Sequence, residues 1–154
     1  MAAITAVASA CTSGVQPRYS EDGVVTVYSE YTITATMSTG NVVRICKVPD
    51  KARIINIACG IPNTFHVNAK LSFGTAADHD LFIASATCSA ARIFDMHDPA
   101  GAGGGFGYQL DTTDSATTRY TEIRMTVSDA DSTTGTTAGT LKFLVTYMND
   151  EGPY

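Results

Sequence analysis

The sequence predicts an all-β fold: a single-domain β-sandwich, jelly-roll-like, with about eight strands and an N-terminal arm. Three observations carry this. Val24 to Thr36 alternates with period 2 over its whole length, the signature of a half-buried strand. Short apolar stretches then recur down the chain, each closed by Gly, Pro, Asn or Asp. No amphipathic helical pattern runs longer than two turns, and no internal repeat is present.

Residues 1–22 are small and polar without clear period, and read as an arm that is either disordered or ordered by packing on a neighbour, with room for one short helical or strand piece. The sandwich is assigned to residues 23–148 and a polar tail to residues 149–154. In the first strand Val25, Val27, Ser29, Tyr31, Ile33 and Ala35 share one face. Ser38-Thr39-Gly40-Asn41 is a turn. Val42 to Val48 is the next strand, closed by Pro49-Asp50, and Arg53 to Ile61 follows with Ile55, Ile57 and Cys59 on one side, the pair reading as a hairpin. Val67 to Phe73 is another strand, ending at Gly74. Asp78 to Ala86 reads as one helical turn or an irregular loop, with Asp78 as a candidate N-cap. Ala90 to Phe94 is a short strand, and Asp98 to Gly107 is a glycine-rich breaker. Extended structure resumes at Phe106 to Leu110. The last two strands are Tyr120 to Ser128, with Ile123, Met125 and Val127 inward, and Thr140 to Met148.

The length of 154 residues suits one domain. A chain of this size buries roughly 70% of its unfolded surface and needs no staple. Charged residues make up only 16% of the chain, against about 25% in typical domains. Thr, Ser, Gly and Ala fill the difference, and Thr is cheaper to desolvate against another protein than Lys or Glu. The net charge of −5 and the scattered basic residues leave no footprint for nucleic acid. No run approaches the ~20 apolar residues of a membrane-spanning helix, and the first residues lack the basic flank of a secretory signal. Cys11, Cys46, Cys59 and Cys88 show neither CxxC nor zinc-finger spacing, so free buried thiols are expected.

Asp78-His79-Asp80 and Asp95-Met96-His97-Asp98 are the acid–histidine clusters. Neighbours on a strand point to opposite faces, so such tripeptides make poor local ligand sets, and solvated loop residues are expected. No GxSxG elbow or cysteine-protease context surrounds a nucleophile. The glycines at 101–105 lack the GK[ST] ending of a phosphate loop. The expectation is therefore no enzyme, no catalytic or metal residue and no cofactor.

The stretches GNVVRICKVP (Gly40–Pro49), LSFGTAADHDLFIASA (Leu71–Ala86) and GTLKFLVTY (Gly139–Tyr147) together resemble small virion structural proteins of tailed bacteriophages, over about 110 residues. The resemblance implies a head-associated decoration or cement protein, with another virion component as the second choice, and carries over no active-site residue. It implies the major capsid protein as partner, self-association as a homo-oligomer (a trimer favoured, a dimer allowed), and a place on the capsid surface after synthesis in the host cytoplasm. Contacts are expected from the arm, at Val15, Pro17, Arg18 and Tyr19, and from the loop aromatics Phe106 and Tyr108. The alternative is a carbohydrate- or receptor-binding sandwich on a tail or fibre, with Phe106, Tyr108 and Tyr120 as its aromatics, although the chain has no Trp. A major shell-forming subunit is disfavoured by the short chain and the lack of a long helix.

Overall fold

Alternating burial builds the strands. In β2 (Val24–Thr32), Val25, Val27 and Ser29 are buried while Thr26, Tyr28 and Glu30 face solvent. The computed structural model describes residues 5–8, 23–49, 51–62, 68–88, 93–96, 110, 120–129 and 138–148. Besides β2 these form β1 (Thr5–Val7), β3 (Val42–Pro49), β4 (Arg53–Gly60), β5 (Lys70–Gly74), β6 (Ile83–Thr87), β7 (Ile93–Asp95), β8 (Tyr120–Asp129) and β9 (Thr140–Met148). The five-stranded sheet has the order β1-β3-β8-β5-β6 and the four-stranded sheet β2-β9-β4-β7. All pairs are antiparallel except β1 with β3. The fold is thus all-β and two-layered.

The inner faces make one core. Ile123, Met125 and Val127 of β8 point in, as alternation predicts, with Leu141, Phe143, Val145 and Tyr147 of β9. Phe73 of β5 meets Phe143 of β9 edge to face across the layers, ring centroids 6.5 Å apart. Ser29 is the polar exception in β2. Its hydroxyl donates across the core to the carbonyl of Ile45 at 3.0 Å. Ile45 has no residue opposite it on β8, because the β3–β8 register slips between Arg44 and Cys46. The bulge turns both Ile45 and Cys46 into the core.

Several sequence expectations need correction. The first long strand ends at Thr32 rather than Thr36; Ile33 stays buried but Ala35 is exposed. Val42–Pro49 and Arg53–Gly60 are not a hairpin, since they lie in different sheets. The turn at Pro49 is a corner between layers, with Lys51 in the left-handed region at φ 62° and Ala52 N–H donating to the Pro49 carbonyl. In β4 a bulge between Ile54 and Asn56 shifts the phase, so Ile54 joins Ile57 and Cys59 in the core and Ile55 is half-buried. β5 starts at Lys70. The segment read as a helical turn or loop ends in strand β6, recruited by pairing with β5. Asp78 caps no helix. Its Oδ1 accepts from Asp80 N–H at 3.3 Å, while its own N–H reaches Thr75 Oγ1 at 3.2 Å, a turn locked by side chains. The short strand near residue 93 spans Ile93–Asp95.

The Ser38–Asn41 turn forms as expected. Gly40 takes φ 88°, Ser38 N–H donates to Asn41 Oδ1 at 2.8 Å, and Gly40 N–H and Val127 N–H join the turn to β8. Near the N-terminus, β1 runs beside β3 with Thr5 opposite Val42 and Val7 opposite Arg44. Ala8 is fully buried and donates to the Arg44 carbonyl. The sandwich therefore draws one strand from the first 22 residues.

Two substitutions test this packing. Ser29→Ala leaves the Ile45 carbonyl buried without its donor and should cost about 1–3 kcal/mol by urea denaturation; a change within error would mean the cross-layer bond is dispensable. A Cβ on Gly74 would collide with the Asp78 carbonyl oxygen and lie 2.6 Å from the His79 carbonyl carbon. Gly74→Ala should therefore destabilise by about 1–3 kcal/mol or more, and a neutral effect would show that the loop yields.

Candidate assembly surface

The outer faces of the two sheets differ in kind. On the β3–β8 face Arg44 and Arg124 stand directly opposite in register, an arrangement that repels by itself. Glu122 resolves it. Its carboxylate accepts from Arg44 Nε at 2.9 Å, from Arg44 Nη2, and from Arg124 Nη2 at 2.9 Å. Burial pushes the Glu122 carboxyl up, but the hydrogen bonds and charges of the two arginines together outweigh it and hold it below its ordinary value. The arrangement is a structural brace rather than an acid–base pair.

The β2-β9-β4-β7 face carries large apolar groups in solvent. Of the five exposed large hydrophobics among the described residues, Val24, Tyr28, Leu144 and Ile93 lie here, Ile93 with 74% of its surface open. Register puts Tyr28, Leu144, Ala58 and Asp95 in one row across the four strands. The adjoining row is Glu30, Lys142, Gly60 and Ile93. On the other side lie Thr26, Thr146 and Asn56, then Val24, Met148 and Arg53. Thr26 and Thr146 hydroxyls hydrogen-bond at 3.1 Å and the Tyr28 hydroxyl donates to Glu30. Apolar groups amid threonines and few charges suit contact with protein.

Of the contacts expected from sequence, Val15, Pro17, Arg18, Tyr19, Phe106 and Tyr108 all lie outside the described residues. Tyr120 opens β8 opposite Pro49 and is about half exposed. Asp78, His79 and Asp80 are exposed. Among the described residues no three His, Cys, Asp or Glu side chains gather as metal ligands. Cys46, Cys59 and Cys88 are free and buried; Cys11 lies outside the described residues. Burial first, and the nearby Cys88 second, push the Cys59 thiol well above its ordinary value, so it carries no nucleophilic thiolate. No described helix is long and apolar enough to cross a membrane. The apolar outer face was missed by sequence reading. Its signal was present in the outward positions Val24, Tyr28 and Leu144, but not the fact that β2 and β9 are neighbours.

No protein-family model matches the chain, and no curated protein sequence does. Its fold has solved counterparts. A chain of the capsid of Ralstonia phage GP4 superposes with a TM-score of 0.71 at 12% identity, covering 99% of this chain and 100% of that one. A chain of the Cyanophage Pam1 capsid asymmetric unit superposes with a TM-score of 0.62 at 16% identity, covering 87% of this chain and 91% of that one. The two-layered architecture is therefore one that occurs in phage capsid chains.

The arginine brace gives an acid signature. Because the folded Glu122 titrates below its ordinary 4.5, its contribution is complete above that value and is lost as pH falls through the folded one. Glu122→Gln should be less stable than wild type at neutral pH and lose less stability below 4.5. Denaturation midpoints measured down the pH scale check this; parallel curves would remove Glu122 from the acid response.

Proposed function

We propose that this chain is a virion structural protein of a tailed bacteriophage, a decoration or cement protein that binds the assembled head and stabilises it. The observation that carries the reading is the end-to-end match of fold with a phage capsid chain. The three sequence stretches that resemble small virion proteins support it independently, since they rest on residues rather than on shape. The strand order supports a jelly roll. From β2 onward, β2-β9-β4-β7 faces β3-β8-β5-β6, and every connection except β5–β6 crosses between layers.

In this reading the major capsid protein is the partner and the chain also associates with itself, a trimer favoured from sequence and a dimer allowed. It sits on the capsid surface after synthesis in the host cytoplasm. A protein that binds only the assembled shell stabilises it by mass action, without catalysis. Val15, Pro17, Arg18, Tyr19, Phe106 and Tyr108 are the proposed contacts with the shell. Deleting the whole arm would also remove β1 and Ala8 from the sandwich, so point substitutions are the cleaner probe.

Purified protein added to heads that lack it should bind to saturation, cosediment with them and raise their melting temperature. Replacing Arg18 and Tyr19 together by Ala should weaken attachment by about tenfold or more while the free domain melts as before. Heads that take up no protein would sink the reading, and a specific response on a glycan array would move it to the receptor-binding alternative.

A further inference from the structure

We infer that the outer face of the β2-β9-β4-β7 sheet is the contact between two copies of this chain, packed face to face about a two-fold axis. The inference rests on the self-association part of the reading above, and replaces the favoured trimer with a pair. A second copy, rather than a different partner, is indicated by charge and by shape.

The chain as a whole carries −5 and so repels itself. This face does not share that bias. Glu30 and Asp95 are matched on it by Arg53 and Lys142, so two copies can meet here without net repulsion.

The face is also divided by size. Its β9 half carries Leu144, Lys142 and Met148. The neighbouring β4 positions in two of those rows are Ala58 and Gly60, which leave a trough beside the ridge. A two-fold axis parallel to the strands, lying between β9 and β4, sets the ridge of one copy into the trough of the other. Leu144 of each copy then covers Ala58 of the second copy, and Lys142 lies over Gly60. The same operation sets Asp95 of each copy against Tyr28 of the other, and Ile93 against Glu30. At the centre of the face the large Leu144 and Lys142 thus meet the small Ala58 and Gly60, as a self-complementary contact requires. The contact also brings three of the exposed apolar side chains of this face, Tyr28, Leu144 and Ile93, against the second copy.

The test is native mass by light scattering and sedimentation across the micromolar range, on wild type, Leu144→Lys and Thr87→Lys. Thr87 is exposed on the other sheet and serves as the control. Wild type and Thr87→Lys should be dimers, and Leu144→Lys should raise the dissociation constant at least about 30-fold with an unchanged circular dichroism spectrum. If Leu144→Lys does not fold, Ile93→Lys is read in its place, since that side chain is largely in solvent. A wild-type monomer, a wild-type trimer, or a dimer that ignores both face substitutions overturns the inference. Head binding is scored on the same samples. A monomer that saturates heads removes the pairing and leaves the virion reading standing. A dimer lost in Leu144→Lys that binds no heads supports the pairing and removes the virion reading.

Discussion

Slipped register is the constraint on which this sandwich depends. A bulge lets a strand bend around the core, but it leaves a carbonyl without its ladder partner, and a buried orphan carbonyl costs about 1–3 kcal/mol. At the β3 bulge Ser29 receives such a group, and two further serines reach backbone carbonyls beside the other slips. Ser29 donates to Ile45 at the β3 bulge, Ser72 to the Ala84 carbonyl where β5 and β6 slip, and Ser128 to the Lys70 carbonyl where β5 and β8 slip. The Ser29 bond does more than satisfy an atom. It spans the two layers, fixing where β2 stands over β3, and hence which faces of each sheet are left outward.

Those outward faces divide the work. On the five-stranded sheet, opposed arginines are held by one carboxylate, which makes the surface polar and braced by its own charges. On the four-stranded sheet, the charged groups are sparse and apolar side chains stand in solvent. The tight loop after Gly74 adds a third device: a glycine lets the Asp78 backbone close over the sheet, and Thr75 and Asp78 side chains lock it. None of these arrangements needs a reactive group. All of them serve shape and register.

Strands that keep a strict alternation were legible. β8 shows the inward set that its sequence predicts, and β2 shows it through Val25, Val27 and Ser29. Strands that slip were not. The bulge in β4 replaced Ile55 by Ile54 in the core, because one extra residue reverses the face of everything before it. In β6 the buried residues are Ile83 and Ala86, three apart, so the segment imitates a helical turn. β1 is three residues of an Ala-rich stretch and acquires its strand from the exposed edge of β3. The outer-face pair Tyr28 and Leu144 was invisible for a different reason: the strands that bring them together are far apart in the chain, as Thr26 and Thr146, 120 residues apart, also show.

The sequence by itself determined the fold class, most strand positions, the low-charge surface and the burial of the cysteines that are described, because each follows from local periodicity and composition. Only the tertiary structure decided which strands share a sheet, where register slips, and which outward side chains form a common face. Period 2 tells a residue which side of its own strand it occupies. It cannot tell it who stands beside it, since that choice is made by hydrogen-bond ladders closing between segments the chain keeps far apart.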